Sequence, residues 1–458
     1  MGTALMACGT PRIIKHAKGQ LAHGDYAGAQ RTLAPHLAKQ PHDDALAGLA
    51  MRALFARGEV RDAVALYRQR PHAERRREFA VARLWAAMRH RDPQIRLAAV
   101  QSARGLNAFP VAREMVRRLS DPDPLVKTWA AVALSATPLG ADVLGSQLEA
   151  RQPKARAIAI REIGRIAGKA AFAQVKAFNT NPAPEVRQAC ADALGYGKGA
   201  TAKGILLRLA TDADLNVRVA AYTSLSKLGL PEGLSIMAKA VIKGAKSERR
   251  AALLAYGKLA SAAQGTAFFR GIAQSDHQGL ALLAGRQLAK WGEVQPVLNT
   301  IARALLHRRP HLRIAAINTA SGVRDPVAYD LAKKALRDPE PTVRLAAIRL
   351  AQSKGRDLDL AANAAAVTMA QLCPKNELPC IEAARLLAMS GDARGNRELE
   401  RLTREGTTWE ARAAALGHLL RQAPTAKSPL FKRLISAFED PDIRVALVAV
   451  EHIWRNIR

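Results

Sequence analysis

The chain has little to stack and little to oxidise. Aromatic residues are 4% of its 458 positions and cysteines number four. A core so poor in rings must be built from Ala, Leu, Val and Ile, which suits closely packed helices, and few side chains remain to stack on nucleic-acid bases. Gly and Pro total only 31 and 23, which argues against a loop-rich β fold. No apolar run approaches the roughly 20 residues of a membrane-spanning helix; Arg, Lys or Gly interrupts each one. Catalytic signatures are missing too. There is no Gly-x-x-x-x-Gly-Lys phosphate loop, no Gly-x-Ser-x-Gly elbow and no His-Glu-x-x-His zinc motif. No cofactor, metal site or catalytic residue is therefore expected. The eleven His are scattered, several beside turns (His42, His72, His90, His277, His311), and read as solvated turn residues.

Acidic residues are the minority charge. Lys and Arg number 70 against 39 Asp and Glu, for +31. Such a field attracts nucleic acid, anionic lipid or acidic polymers; a general bias toward Arg and Ala would produce the same excess. No basic tail stands apart, and the single run of three, Arg75-Arg76-Arg77, reads as a solvated helix face.

What the sequence does have is a period. Val217-Arg218-Val219-Ala220-Ala221 recurs as Val343-Arg344-Leu345-Ala346-Ala347, with variants at Ile95-Arg96-Leu97-Ala98-Ala99 and Leu312-Arg313-Ile314-Ala315-Ala316. The basic position steps through Arg96, Lys127, Arg156, Arg187, Arg218 and Arg249 at intervals of 31, 29, 31, 31 and 31. Ala281 holds the next place, then Arg313 and Arg344, then Ile381 after an interval of 37, then Arg412 and Arg444. Twelve repeats thus run from about Leu84 to the end. Two lack the basic residue and one carries a six-residue insertion.

Each unit reads as a helical hairpin. Val217, Ala221, Leu225 and Leu228 share one helical face, and Gly229 stands where a C′ glycine ends a helix. Asp-Pro pairs at Asp92, Asp121, Asp338 and Asp440 supply start signals, with Asp as the expected N-cap and Pro at the first helical position. The recurring basic residue then lies in the first turn, where the helix dipole disfavours a cation by about 0.3–1 kcal/mol. A disfavoured placement repeated this often implies a partner. The expectation is a structural ladder, each Arg bonding a turn carboxylate or carbonyl of its own or the adjoining repeat.

The pattern Asp-Pro-x-x-x-Val-Arg-x-Ala-Ala-x-x-x-Leu resembles the short bacterial HEAT-like repeats, the phycobilisome-lyase type, over residues 84–458. The resemblance implies an all-α, right-handed α-solenoid of about twelve hairpins. It supplies no catalytic residue, although some helical-repeat proteins of this kind are lyases. In residues 12–83, Gly24-Asp25-Tyr26 with Ala29 and Leu33 is followed 34 residues later by Gly58-Glu59-Val60 with Ala63 and Tyr67. This is similar to the TPR pattern and implies two further hairpins, preceded by an N-terminal segment, residues 1–11.

The cysteines bear on location. Leu5-Met6-Ala7-Cys8-Gly9 resembles a bacterial lipobox, which implies lipidation of Cys8. A positively charged segment and then an apolar stretch of about 7–15 residues should precede it, and only seven residues in all do; an incidental Cys in an N-terminal segment is the alternative. Cys190 sits on an Ala-rich helix face as a small core residue. Cys373 and Cys380 bracket the enlarged turn of the inserted repeat and read as a disulfide, which persists outside the cytosol. The chain is thus expected to be a monomeric, non-enzymatic scaffold for protein partners at the cell envelope, lipid-anchored or periplasmic. The alternative functions are nucleic-acid or other polyanion binding through the basic surface, and then a lyase-type enzyme; the alternative location is the cytoplasm.

Overall fold

The computed structural model describes residues 10–69, 73–104, 111–197, 202–373, 377–422 and 437–456. Among them every regular element is a helix, so the chain is an all-α helical-repeat solenoid. None of these helices is long and apolar enough to cross a membrane.

One helix shows how the repeat is specified. Leu215–Lys227 starts at Asp214, whose Oδ1 accepts hydrogen bonds from the backbone N–H of Asn216 (2.8 Å) and Val217 (3.2 Å). These are two of the donors that a helix start leaves without partners. Gly229, at φ 67°, ends it in the left-handed region. Val217, Ala221 and Leu225 are all fully buried. Burying a Val or Leu side chain contributes about 1.5–3 kcal/mol, so most of the helix's stability comes from this face.

The faces merge into seams. From Ala157 to Leu288 one continuous apolar cluster passes through Val186, Cys190, Val217, Leu225, Ala252 and Tyr256. A second runs from Leu282 to Leu387. Small residues let neighbouring helices approach closely. A Cβ on Gly164 would lie 2.5 Å from that of Ala193, so a larger side chain there would force the helices apart.

The chain forms two compact units, Gly145–Asn396 and a second assembled from both chain ends, Met1–Leu144 with Arg397–Arg458. In the latter the 34-residue hairpins turn at Gly24 (φ 83°) and Gly58 (φ 82°). Residue 84, where the period shortens, falls inside the helix Ala73–Met88. The C-terminal helix Ile443–Asn456 packs on Ala73–Met88 and Pro93–Arg104. Beside it, the buried Phe79 ring meets Phe55, Tyr67 and Phe438 at centroid distances of 5.2, 4.8 and 4.5 Å. Within this unit the apolar face of the last helix is therefore covered by Ala73–Met88 and Pro93–Arg104.

The Asp-Pro reading of the helix starts needs a correction. Asp92 directly precedes Pro93 of the helix Pro93–Arg104 and accepts from Gln94 N–H at 2.8 Å. Asp121 and Asp338, however, lie two residues too early. The capping positions belong to Asp123 and Glu340, before Pro124 and Pro341. Asp440 likewise stands two residues ahead of Asp442, the residue before Ile443. In each turn the earlier carboxylate accepts the N–H of the later residue, at 2.9 Å for Asp123 and Glu340 and 2.8 Å for Asp442. Asp212 and Asp214 repeat the arrangement. The sequence places two turn carboxylates in tandem: the second holds the capping position, where Asp123, Asp214 and Asp442 accept helix-start N–H groups and Glu340 does not, and the first is left to face the preceding repeat.

Candidate functional site

That first carboxylate receives the register arginine. Arg187 donates from Nε and Nη2 to the two oxygens of Asp212, both at 2.8 Å, and from Nη1 to the carbonyls of Asn181 (2.8 Å) and Pro182 (3.0 Å). Arg313 does the same with Asp338 and with the carbonyls of His307 and Arg308. Arg96 pairs with Asp121, and Arg412 with Asp440. One guanidinium therefore holds its own turn and clamps the next. The paired hydrogen bonds raise the pKa of Arg187 and hold the carboxyl of Asp212 below its usual range. Burial opposes ionisation of Asp121, yet the bonds from Arg96 keep it below its ordinary value as well.

Other rungs vary. Arg218 grips Glu248 (2.6 and 2.7 Å), which also accepts from the Tyr222 hydroxyl. Arg344 donates to Thr368 Oγ1 (2.9 Å) and to the side-chain oxygen of Gln371. Arg156 caps the Ala150 carbonyl. Arg444 bonds its own turn's Asp442 and covers the Trp409 ring at 4.0 Å. Lys127 makes no such bond among the described residues. The register arginines are thus occupied by the fold, and their two-pronged geometry leaves little for a ligand.

The ladder is interrupted after Glu248. Arg249 finds the Val241 carbonyl (2.8 Å) and His277 Nε2 (3.1 Å) in place of a carboxylate, and the next repeat carries Ala281 in the register position. There a groove of about 760 Å³ opens across the starts of the helices Lys246–Leu259, Gln278–Lys290 and Pro310–Ser321. Its floor includes Leu280, Leu282, Leu283, Leu312 and Ile314. Its rim carries Lys246, Arg249, Arg250, Arg286 and Arg309 against one acid, Asp276. Lys246, Arg250, Arg286 and Arg309 are exposed and form no ion pair among the described residues. The groove histidines, His277, His307 and His311, do not converge as a metal-ligand group. With apolar walls and cations the fold does not use, the groove can bind; it presents no nucleophile, base and oxyanion donor together.

A second cavity, of about 430 Å³, lies in the unit built from the chain ends, beside Lys18, Arg52, Trp85 and Arg117. Its charges are partly spent on one another: Arg52 meets Glu78 at 3.3 Å and Arg117 meets Glu114 at 3.4 Å.

Of the cysteines, Cys8 lies outside the described residues. Cys373 and Cys380 are joined, with Cα atoms 4.7 Å apart. Cys190 is buried and its thiol donates to the Val175 carbonyl at 3.1 Å; burial pushes its pKa up to about 12. The groove was not among the sites read from the sequence. Its signals were the missing register Arg at Ala281 and the adjacent pairs Arg249-Arg250 and Arg308-Arg309.

Residues 173–257 match the HEAT repeats family. The match lies wholly in the 145–396 unit and ends in the helix that carries Arg249 and Arg250. No curated protein matches the chain by sequence. Similar solved structures include the crystal structure of an engineered protein, 16% identical over 82% of this chain and 98% of that one, TM-score 0.28. Another is human deoxyhypusine hydroxylase in complex with glycerol, 17% identical over 64% and 97%, TM-score 0.24. A third is a homology model of the full-length AP-3 complex in an intermediate open conformation, 12% identical over 81% and 89%, TM-score 0.33.

Proposed function

We propose that this helical-repeat chain is a non-enzymatic scaffold that docks a protein partner in the groove between residues 244 and 319. One observation carries the reading. Where the Arg ladder is complete its charges are consumed by the fold, and where it is interrupted an apolar floor with unspent cations is left open. A rigid set of helices with such a groove suits partner recognition. The Cys373–Cys380 disulfide supports placing the scaffold in an oxidising compartment. Lipid on Cys8 would hold it at the cell envelope, as part of the same proposal.

Chemical cross-linking of the tagged chain in its native cells, followed by mass spectrometry, tests the reading. The comparison is with R250E/R286E, two exposed side chains that form no ion pair among the described residues. Wild type should capture a discrete protein that the variant loses while its melting temperature is unchanged. Equal capture by both would contradict docking in this groove.

A further inference from the structure

We infer that the groove takes an acidic, leucine-rich type of peptide, one in which carboxylates alternate with apolar side chains. The inference rests on the scaffold reading and specifies the partner's chemistry.

Two features of the groove converge on it. First, its rim has five Lys or Arg side chains and a single acid. The helices Gln278–Lys290 and Pro310–Ser321 begin there, so their positive dipole ends add to the same field. A carboxylate entering the groove meets attraction from several directions; of the nearby acids Asp276 lines the groove, and Glu248, beside Gly244, is already paired with Arg218.

Second, the floor is aliphatic. Leu280, Leu283, Leu312 and Ile314 line it while only partly buried, and Leu306, beside the rim residue His307, is 89% exposed. This surface gains from covering by apolar side chains, at about 25 cal/mol per Å². A sugar–phosphate backbone has none to offer. Among the described residues no Phe, Tyr or Trp lines the groove, so they offer no platform on which single-stranded bases would stack.

Charge alone would admit either polyanion; the aliphatic floor favours the peptide.

Fluorescence anisotropy on the full chain tests this with four labelled probes. They are a peptide alternating Leu with Glu, a Glu-only peptide of equal charge, the same Leu peptide with Lys for Glu, and single-stranded DNA of equal charge. At about 0.15 M salt, where screening lengths are about 8 Å, the Leu/Glu peptide should bind tightest. The Glu-only peptide should be weaker by about tenfold, and the Leu/Lys peptide should not bind. R250E/R286E should weaken the Leu/Glu peptide by about tenfold or more with no change in melting temperature. DNA binding as tightly as the Leu/Glu peptide and equally sensitive to R250E/R286E would make the groove a nucleic-acid site and overturn the inference. Equal binding of the Lys and Glu peptides would overturn it by showing that charge is not read. If no peptide binds while R250E/R286E still abolishes capture of the cellular partner, the peptide inference falls and the scaffold reading stands.

Discussion

Val217→Asp should unfold its own hairpin and loosen the two beside it. Val217 is fully buried in the seam with Val186, Ala221 and Leu225. The nearest guanidinium in sequence, Arg218, already holds Glu248 with two hydrogen bonds, so the new carboxylate would have no partner. Burying an uncompensated charge belongs to the rare class of substitutions that cost on the order of 4 kcal/mol or more. The seam is shared between neighbours, so the loss should spread locally and fade with distance. Hydrogen exchange should show protection lost in Pro184–Leu194, Leu215–Lys227 and Lys246–Leu259, and largely kept in Pro341–Lys354. Wild-type stability would mean that the helical phase assigned to the repeat is wrong.

The second large effect concerns the chain ends. Phe438→Ala removes a fully buried ring that packs on Phe79, and a truncation of this kind costs about 3–5 kcal/mol. In a linear array the damage would stay among the last repeats. Here Phe79 also supports Phe55 and Tyr67, so the helices Asp44–Arg57 and Ala73–Met88 should lose exchange protection together with Ile443–Asn456. Loss confined to residues 409–456 would show that the ends stand independently.

The period of the fold was legible because it is written in two independent alphabets, the Val-Arg-x-Ala-Ala face and the Asp-Pro turns. The role of each Asp was less so. Asp121 and Asp338 look like caps because a Pro follows them, but Asp123 and Glu340 are also followed by Pro, and the helix begins at the later one. Only the three-dimensional stacking shows that the earlier carboxylate belongs to an arginine 25 residues upstream. Partners such as Thr368 for Arg344 carry no charge pattern that could announce them. The contact between Phe79 and Phe438 was hidden for a different reason: an apolar face does not announce which helix distant in sequence covers it. The groove was visible only as a gap, the absent Arg at Ala281. A gap becomes a site only when the neighbouring cations are seen to lack partners.

Arginines that look alike in sequence divide their labour between the ladder and the groove. Thermal unfolding of four single variants tests this division most directly: Arg187→Met and Arg313→Met on the ladder, Arg250→Met and Arg286→Met on the groove. Removing a ladder arginine strands a mostly buried carboxylate, Asp212 or Asp338, whose side chains are 11% and 10% exposed. Allowing for that residual contact with water, the cost is about 2 kcal/mol, a drop of about 4–8 °C for a unit of this size. The groove variants should melt within about 0.5 kcal/mol of wild type. Four variants melting alike, or groove variants melting below ladder variants, would contradict it.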